Sequence, residues 1–223
     1  MTAKERNYEN LAESIIAKLA QRNMEGYYCK DREEANAKVK RFLMPDCSIS
    51  WGGSETLEQI GLIADLKESE NEYEILDRKN PDPALSAKEF YGKMVTSDFF
   101  LMSTNAITVD GELINIDGNG NRVACLCNGP DHVIIVAGMN KIVPDIQSGI
   151  ARVRNIAAPP NGVRLNTNTP CAEYGRCVDC LTDDCMCCHT VVTRMCRVPG
   201  RIKVILVGEE RGYCSNDSQR VHL

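Results

Sequence analysis

The order of helix-type and strand-type segments constrains the fold of this chain more than any other feature. In residues 1–102, stretches with apolar residues at helical spacing alternate with short β-prone runs. In order, the segments are a helix at 3–22, a strand at 24–29, a helix at 33–43 with Asp31 as its N-cap, a strand at 47–51, a helix at 54–67, a strand at 73–77, a helix at 84–96 and a strand at 99–102. This alternation predicts an α/β fold, with a mostly parallel sheet covered by helices on both faces.

The pattern changes in the second half of the chain. The segments there are strands at 106–110 and 113–116, a helix at 122–128, a strand at 132–138, a helix at 145–157, and β-prone runs at 190–195 and 202–207. The first two strands flank Gly111-Glu112 and predict a β-hairpin. We expect Pro159 and Pro160 to end the helix before them. No repeat or low-complexity linker divides the chain, so we expect one domain over residues 1–223, with a polar and loosely ordered last dozen residues.

Composition and charge exclude several classes of function. The formal net charge is −5 over 223 residues, which argues against nucleic acid as the main partner. No run of about 18 apolar residues is present, and the N-terminus lacks the apolar core of a signal peptide, so we expect no membrane association. We therefore expect a cytoplasmic protein. Thiols stay reduced in that compartment, so clustered cysteines indicate a metal site rather than disulfides.

A cysteine-rich loop, defined here as residues 168–189, holds six of the twelve cysteines. Four of them follow the spacing Cys171-x5-Cys177-x2-Cys180-x6-Cys187. Four thiolates suit an iron–sulfur cluster such as [4Fe–4S], or a tetrahedral zinc ion. A single Cys-x2-Cys pair with flanking cysteines fits a cluster at least as well as a zinc ribbon. Free thiols are the remaining alternative, and Cys185, Cys188 and His189 are additional groups that leave the ligand assignment open.

Polar and glycine-rich turns follow several predicted strands, where open α/β sheets place their ligands. The candidate ligand-binding residues in these turns are Trp51, Gly52, Gly53, Ser54, Ser103, Thr104, Asn105, Asp117, Asn119, Gly120, Arg122, Gly138 and Asn140. The candidate catalytic residues are Asp117, Arg122 and Lys141. Backbone N–H groups at Gly52-Gly53 and the charged groups of 117–122 suit a carboxylate or phosphate. The alternative is structural, since Asp-Gly and Asn-Gly are common turn dipeptides and Lys141 is equally compatible with a solvated surface position.

Other patterns carry less information about function. Arg152 and Asn155 share a face of the helix at 145–157, and most such arginines are solvated or salt-bridged. The chain contains no GxSxG, Walker loop or GxGxxG motif and no Ser–His–Asp order. Serine-hydrolase and nucleotide-driven mechanisms are therefore unsupported.

Together these stretches resemble the LUD-domain family (DUF162), also called the LutC or lactate-utilisation family. The matching segments are RNMEGYYC (22–29), SWGGSETLEQIGL (50–62), FFLMSTNAITVDGELINIDGNGNRVA (99–124), VIIVAGMNKIV (133–143), ARVRNIAAP (151–159), TPC (169–171) and GRIKVILV (200–207). The resemblance covers nearly the whole chain in order. It implies a three-layer α/β/α sandwich similar to the NagB/RpiA/CoA-transferase group, whose members bind sugar phosphates, CoA thioesters or folates at strand ends.

The chain resembles in particular the single-domain members that carry a cysteine motif near the C-terminus. Matched residue by residue, the resemblance implies as ligands of the metal or cluster Cys171, Cys177, Cys180 and Cys187. Family members usually have a polar residue where this chain has Cys188, and Cys185 is also unusual. The family name comes from a lactate-oxidation operon, in which a LUD protein accompanies an iron–sulfur protein and a second oxidoreductase subunit. A partner of that kind is therefore implied.

Three functions follow as expectations. The first is a redox-linked protein of lactate or related organic-acid metabolism, with an iron–sulfur cluster in the cysteine-rich loop and a small anionic molecule bound at the strand ends. The second is an isomerase, hydrolase or transferase that uses the same cleft and has a structural zinc. The third is a non-catalytic subunit or sensor that docks a partner through the cysteine-rich loop. A homodimer is compatible with each of them.

Overall fold

A six-stranded sheet forms the centre of the protein. The computed structural model describes residues 1–69 and 71–214. The strands are β1 (Glu25–Cys29), β2 (Ser48–Trp51), β3 (Glu74–Leu76), β4 (Phe99–Met102), β5 (Ala106–Thr108), β6 (Leu113–Asp117), β7 (His132–Gly138), β8 (Ile142–Val143), β9 (His189–Thr193) and β10 (Ile202–Val207). The central sheet has the order β1-β10-β7-β4-β2-β3, and all its pairings are parallel. The predicted α/β fold with a mostly parallel sheet is confirmed.

Helices cover both faces of this sheet. They are α1 (Ala3–Gln21), α2 (Arg32–Lys40), α3 (Glu55–Gln59), α4 (Leu62–Glu68), α5 (Ala87–Val95), α6 (Asn121–Cys127), α7 (Ile146–Arg152), α8 (Ala158–Leu165) and α9 (Pro170–Tyr174), with a 3-10 turn at Met139–Lys141 and a π-helical segment at Val153–Ala157. Within β7, Val133 and Ile135 pack into a core with α1, α5 and α6, whereas Ile134 and Val136 pack into a second core with α2, α3 and α4. Because strand side chains alternate between faces, this partition defines a three-layer sandwich.

A smaller sheet of order β8-β5-β6-β9 lies beside the central one. β5 and β6 pair antiparallel, which confirms the predicted hairpin, although the hairpin belongs to this second sheet. The two final β-prone runs also separate: β9 pairs with β6, while β10 lies between β1 and β7. Burial explains the division, because β10 is apolar on both faces and almost fully buried, whereas β9 is half-exposed and suits an edge.

The predicted helix at 54–67 is two helices. Gly61 adopts a φ of 76°, which ends α3 and starts α4. A left-handed residue cannot continue a right-handed helix, and glycine adopts that conformation without steric cost. The sequence pattern is apolar at helical spacing on both sides of Gly61, so the interruption is not visible from periodicity.

The prediction that Pro159 and Pro160 end the preceding helix is wrong. The chain stays helical from Ile146 to Leu165, passing through the π-helical segment into α8. Both prolines lie in the first turn of α8, directly after the π-helical segment. The π-helical turns before them take up the change of register.

No helix in the described part of the chain is long and apolar enough to cross a membrane. Residues 215–223, which make up most of the polar C-terminal dozen, lie outside the described residues.

Candidate functional site

A cavity of about 540 Å³ opens at the carboxyl ends of β2 and β4, beside the end of β6. Among the predicted ligand-binding and catalytic residues, it is lined by Gly53, Ser54, Ser103, Thr104, Asn105, Asp117, Asn119, Arg122 and Lys141. The strand-end turns at 50–54, 103–105 and 117–122 therefore meet at one site, as expected for an open α/β sheet. Other walls come from α7, α8, the cysteine-rich loop and the segment at residues 212–213.

Arg122 forms a buried hub beneath the cavity. Its Nε lies 3.2 Å from Asp117 Oδ2. Its two terminal nitrogens donate to Ser103 O (3.3 Å), Asn115 Oδ1 (2.6 Å), Asn105 Oδ1 (3.0 Å) and Ile116 O (2.9 Å). Burial lowers the pKa of Arg122, and the charge of Asp117 opposes that shift. All five donors of Arg122 are thus used within the protein, and its contacts tie together the turns that follow β4 and β6.

Lys141 is buried at the floor of the cavity, with 6% of its surface exposed. Its Nζ donates to Thr56 Oγ1 (2.8 Å) and Ser103 Oγ (2.6 Å). No described carboxylate forms an ion pair with it. Burial lowers the pKa of Lys141 well below its ordinary value, and the positive charges of Arg152 and Arg122 lower it further. A solvated surface position for Lys141 is therefore excluded.

Arg152 is also buried on this floor, with 7% of its surface exposed. It donates only to backbone carbonyls: Nε to Asn140 O (3.1 Å), and its terminal nitrogens to Asn105 O (2.7 Å) and Tyr213 O (2.8 Å). Burial lowers its pKa to about 10, so the guanidinium remains charged at neutral pH. Among the described residues, two of its N–H groups have no partner and no carboxylate pairs with it.

Five of the predicted ligand-binding residues do not line the cavity in the described structure. Trp51 is buried in the core with Ile49 and Leu57. Gly52 lies against Arg122, since an added Cβ would be 3.1 Å from Arg122 Cδ.

The other three support neighbouring segments. Asn140 accepts from Arg211 N (3.0 Å), and an added Cβ at Gly138 would meet the same nitrogen at 2.5 Å, so both hold the chain that follows β10. Gly120, with a φ of 78°, starts α6 and packs against His189.

The cysteine-rich loop forms one wall of the cavity. Its lining residues are Asp183, Asp184, Cys185, Met186 and Cys187. Met186 lies against the turn after β6, because an added Cβ at Gly118 would be 3.5 Å from Met186 Cα. Asn161 of α8 also donates to Met186 Sδ at 3.5 Å. The cleft and the cysteine-rich loop are therefore one continuous region.

The thiols of this loop partly converge. Burial and, to a smaller extent, the nearby Cys185, Cys177 and Cys171 raise the pKa of Cys187 to about 12. Cys171 is buried beside Thr169, and Cys187 packs against the core of the second sheet. Cys185 donates to Cys180 O at 3.5 Å. Among the described residues, however, no three His, Cys, Asp or Glu side chains lie close enough together to hold a metal ion.

Sequence reasoning missed part of the site. Thr56, Arg152, Gly212 and Tyr213 all contribute to the floor, and of these the sequence pattern indicates only Arg152, as a surface residue. The signal for Arg152 was its place on a helix whose neighbours are apolar, but periodicity does not show which face meets a cavity. Residues 212–213 return to the site from a distant part of the chain, and no local pattern indicates that.

The fold and site define an α/β/α sandwich with a strand-end cleft and a cysteine-rich wall. The family model described as the LUD domain matches residues 12–207, and the chain belongs to this family. A crystal structure of a DUF162 family protein from Deinococcus radiodurans aligns with a TM-score of 0.48 and 16% sequence identity, covering 91% of this chain and 98% of that one. No curated protein matches the sequence.

Proposed function

We propose that this LUD-domain protein binds a small organic carboxylate, lactate or a related acid, in the strand-end cleft as part of organic-acid utilisation. The observation that carries the proposal is the guanidinium of Arg152, which stays charged at neutral pH, is buried on the floor and pairs with no carboxylate among the described residues. Burying an unpaired charge is costly unless a ligand compensates it.

Arg152 is the anchor that fits a carboxylate best. Its three internal hydrogen bonds fix the orientation of the guanidinium and leave one N–H group on each terminal nitrogen to donate to a carboxylate. Lys141, Ser103 and Thr56 supply polar groups beside it. The Asp117–Arg122 pair supports this floor rather than the ligand directly, since Arg122 has no donor left over.

We further propose that the cysteine-rich loop holds an iron–sulfur cluster, with Cys171, Cys177, Cys180 and Cys187 as ligands. Support comes from Cys171 and Cys177, which lie near enough to Cys187 to raise its pKa, and from the thiol-only donor set, which suits a cluster or zinc. When bound, a cluster would supply one-electron redox chemistry next to the cleft. The exposed apolar side chains Val178 and Leu181 on the same loop suit docking of an iron–sulfur or oxidoreductase partner.

Calorimetric titration with lactate and pyruvate tests the carboxylate site. We expect saturable binding by the unmodified protein and a loss of about 2–5 kcal/mol of binding energy in Arg152→Gln, as for a buried charged contact. Arg32→Gln is the matched control, because Arg32 is exposed and pairs with Glu33 on the surface. Equal binding by Arg152→Gln and the unmodified protein would exclude the proposed anchor.

Anaerobic purification followed by iron, sulfide and zinc analysis tests the cluster. Brown protein with a broad visible absorption band and stoichiometric iron and sulfide is the expected result. Colourless protein with one bound zinc would contradict the redox role of the cysteine-rich loop.

A further inference from the structure

We infer that Lys141 reacts reversibly with the carbonyl carbon of a bound 2-oxo acid to form an imine. This inference rests on the carboxylate site proposed above and narrows its ligand to a 2-oxo acid. The grounds are the hydrogen bonding of Nζ, the charges around it and the position of Arg152.

The hydrogen bonds of Lys141 leave one direction of its nitrogen open. Nζ contacts Thr56 Oγ1 and Ser103 Oγ at 2.8 and 2.6 Å. Ser103 directs its own hydrogen to Val136 O at 2.6 Å, so its oxygen accepts from Lys141. A neutral amine has two hydrogens and one lone pair. With both hydrogens on hydroxyl oxygens, and no third partner in the described part of the chain, the lone pair remains for the cavity that Lys141 lines.

The surrounding charges favour that neutral amine. Lys141 faces Arg152 and Arg122, and burial and both cations lower its pKa. Glu55, Asp117, Asp183 and Asp184 also line the cavity, but none of them forms an ion pair with Lys141 in the described part of the chain, and Asp117 is paired with Arg122. Desolvation and a neighbouring cation are the two conditions that turn a lysine into a nucleophile near neutral pH.

The position of Arg152 selects a carbonyl next to a carboxylate. Asn140 O accepts from Arg152 Nε, and Lys141 is the residue that follows Asn140, so the same turn positions the guanidinium and the amine. A carboxylate bound by the two remaining N–H groups of Arg152 would lie in the cavity that Lys141 also lines, and the proposal places its α-carbon at the amine. A 2-oxo acid carries its electrophilic carbon at that position, whereas a 2-hydroxy acid has no carbonyl there.

The reaction balances without an oxidant or reductant. The Nζ lone pair attacks C2, and the carbonyl electron pair moves to oxygen, which takes up a proton to give a carbinolamine. Loss of water then forms the C=N bond. Both amine hydrogens leave in that water together with the carbonyl oxygen, and the hydroxyl of Thr56 is placed to pass a proton.

Trapping of the full-length protein with pyruvate and sodium cyanoborohydride tests this chemistry. We expect one reduced pyruvate adduct per chain by intact mass, located on Lys141 by peptide mapping. Lactate should give none. Lys141→Met should abolish the adduct, and Arg152→Gln should strongly reduce it, because the carboxylate anchor is lost while the amine remains. Lys93→Met, a surface lysine paired with Glu74, should trap like the unmodified protein.

The experiment distinguishes a failure of imine formation from a failure of the proposed carboxylate site. Pyruvate that binds by calorimetry but leaves no adduct would overturn imine formation and leave the carboxylate site standing. Adducts spread over surface lysines to the same extent in Lys141→Met would also overturn it. If neither pyruvate nor lactate binds and no adduct forms, both the imine and the proposed function are overturned.

Discussion

At the scale of single residues, the cleft separates an arginine that belongs to the scaffold from one that is available to a ligand. Arg122 uses all five donors on protein oxygens, whereas Arg152 uses three and has no carboxylate partner among the described residues. The sequence favoured Arg122, because it ends a dense run of turn-forming polar residues. Only tertiary contacts show that the other arginine carries the unsatisfied charge.

Arg122→Met is expected to destabilise the protein by about 3–5 kcal/mol, since it leaves Asp117 and several buried oxygens without their partner. Urea unfolding measures the loss. The control Arg32→Met should stay within about 0.5 kcal/mol, as surface substitutions do. A loss for Arg122→Met as small as that of the control would contradict the scaffold role.

Lys141 makes stability depend on pH in a defined direction. Its folded-state pKa lies below the ordinary value of 10.5, so the unfolded chain binds the proton more readily and the native state is penalised at low pH. The free energy of unfolding should therefore rise with pH from the depressed folded-state pKa toward 10.5. Lys141→Met should lack this rise and be more stable than the unmodified protein at neutral pH. A parallel pH dependence of the two proteins in urea unfolding would refute the assignment.

At the scale of elements, the segment after β10 closes the floor over Lys141. Gly212 has a φ of 72°, and an added Cβ would lie 2.7 Å from Thr56 Oγ1 and 3.2 Å from Lys141 Nζ. Gly212→Ala should cost about 1–2 kcal/mol of backbone strain and also weaken carboxylate binding. Gly61→Ala, at a similar φ of 76° but away from the cleft, should show the strain alone. Unchanged carboxylate binding by Gly212→Ala would place this segment outside the site.

In the cysteine-rich loop, single substitutions separate the proposed ligand cysteines from the others. Replacing Cys171, Cys177 or Cys187 by alanine should remove most of the bound metal, because Cys171 and Cys177 lie near Cys187 in the fold. Cys188→Ala should keep it, since Cys188 is exposed and donates to Cys185 O. Iron, sulfide and zinc per chain, measured on anaerobically purified variants, provide the readout. Metal loss in Cys188→Ala equal to that in Cys171→Ala would contradict this ligand set.

At the scale of the whole molecule, the sequence predicts the three layers but not the helix breaks or the contacts between distant segments. Alternating periodicity identified the parallel sheet, and the apolar run 132–138 identified its centre, because local patterns reflect which faces are buried. The sequence does not predict the helix break at Gly61 or the continuation of the helix through the prolines at 159–160, because a left-handed glycine and a π-helical turn depend on the surrounding packing. The meeting of the cleft with the cysteine-rich loop was also beyond local reasoning, because Gly118 and Met186 are far apart in the chain.

The central claim is that the floor of the cleft binds a carboxylate through Arg152. A crystal structure of the protein with lactate tests it most directly. We predict that the lactate carboxylate accepts hydrogen bonds from Arg152 and lies beside Lys141. A carboxylate bound instead to the exposed Arg78 or Arg164 at the mouth, with the floor filled only by water, would contradict the claim.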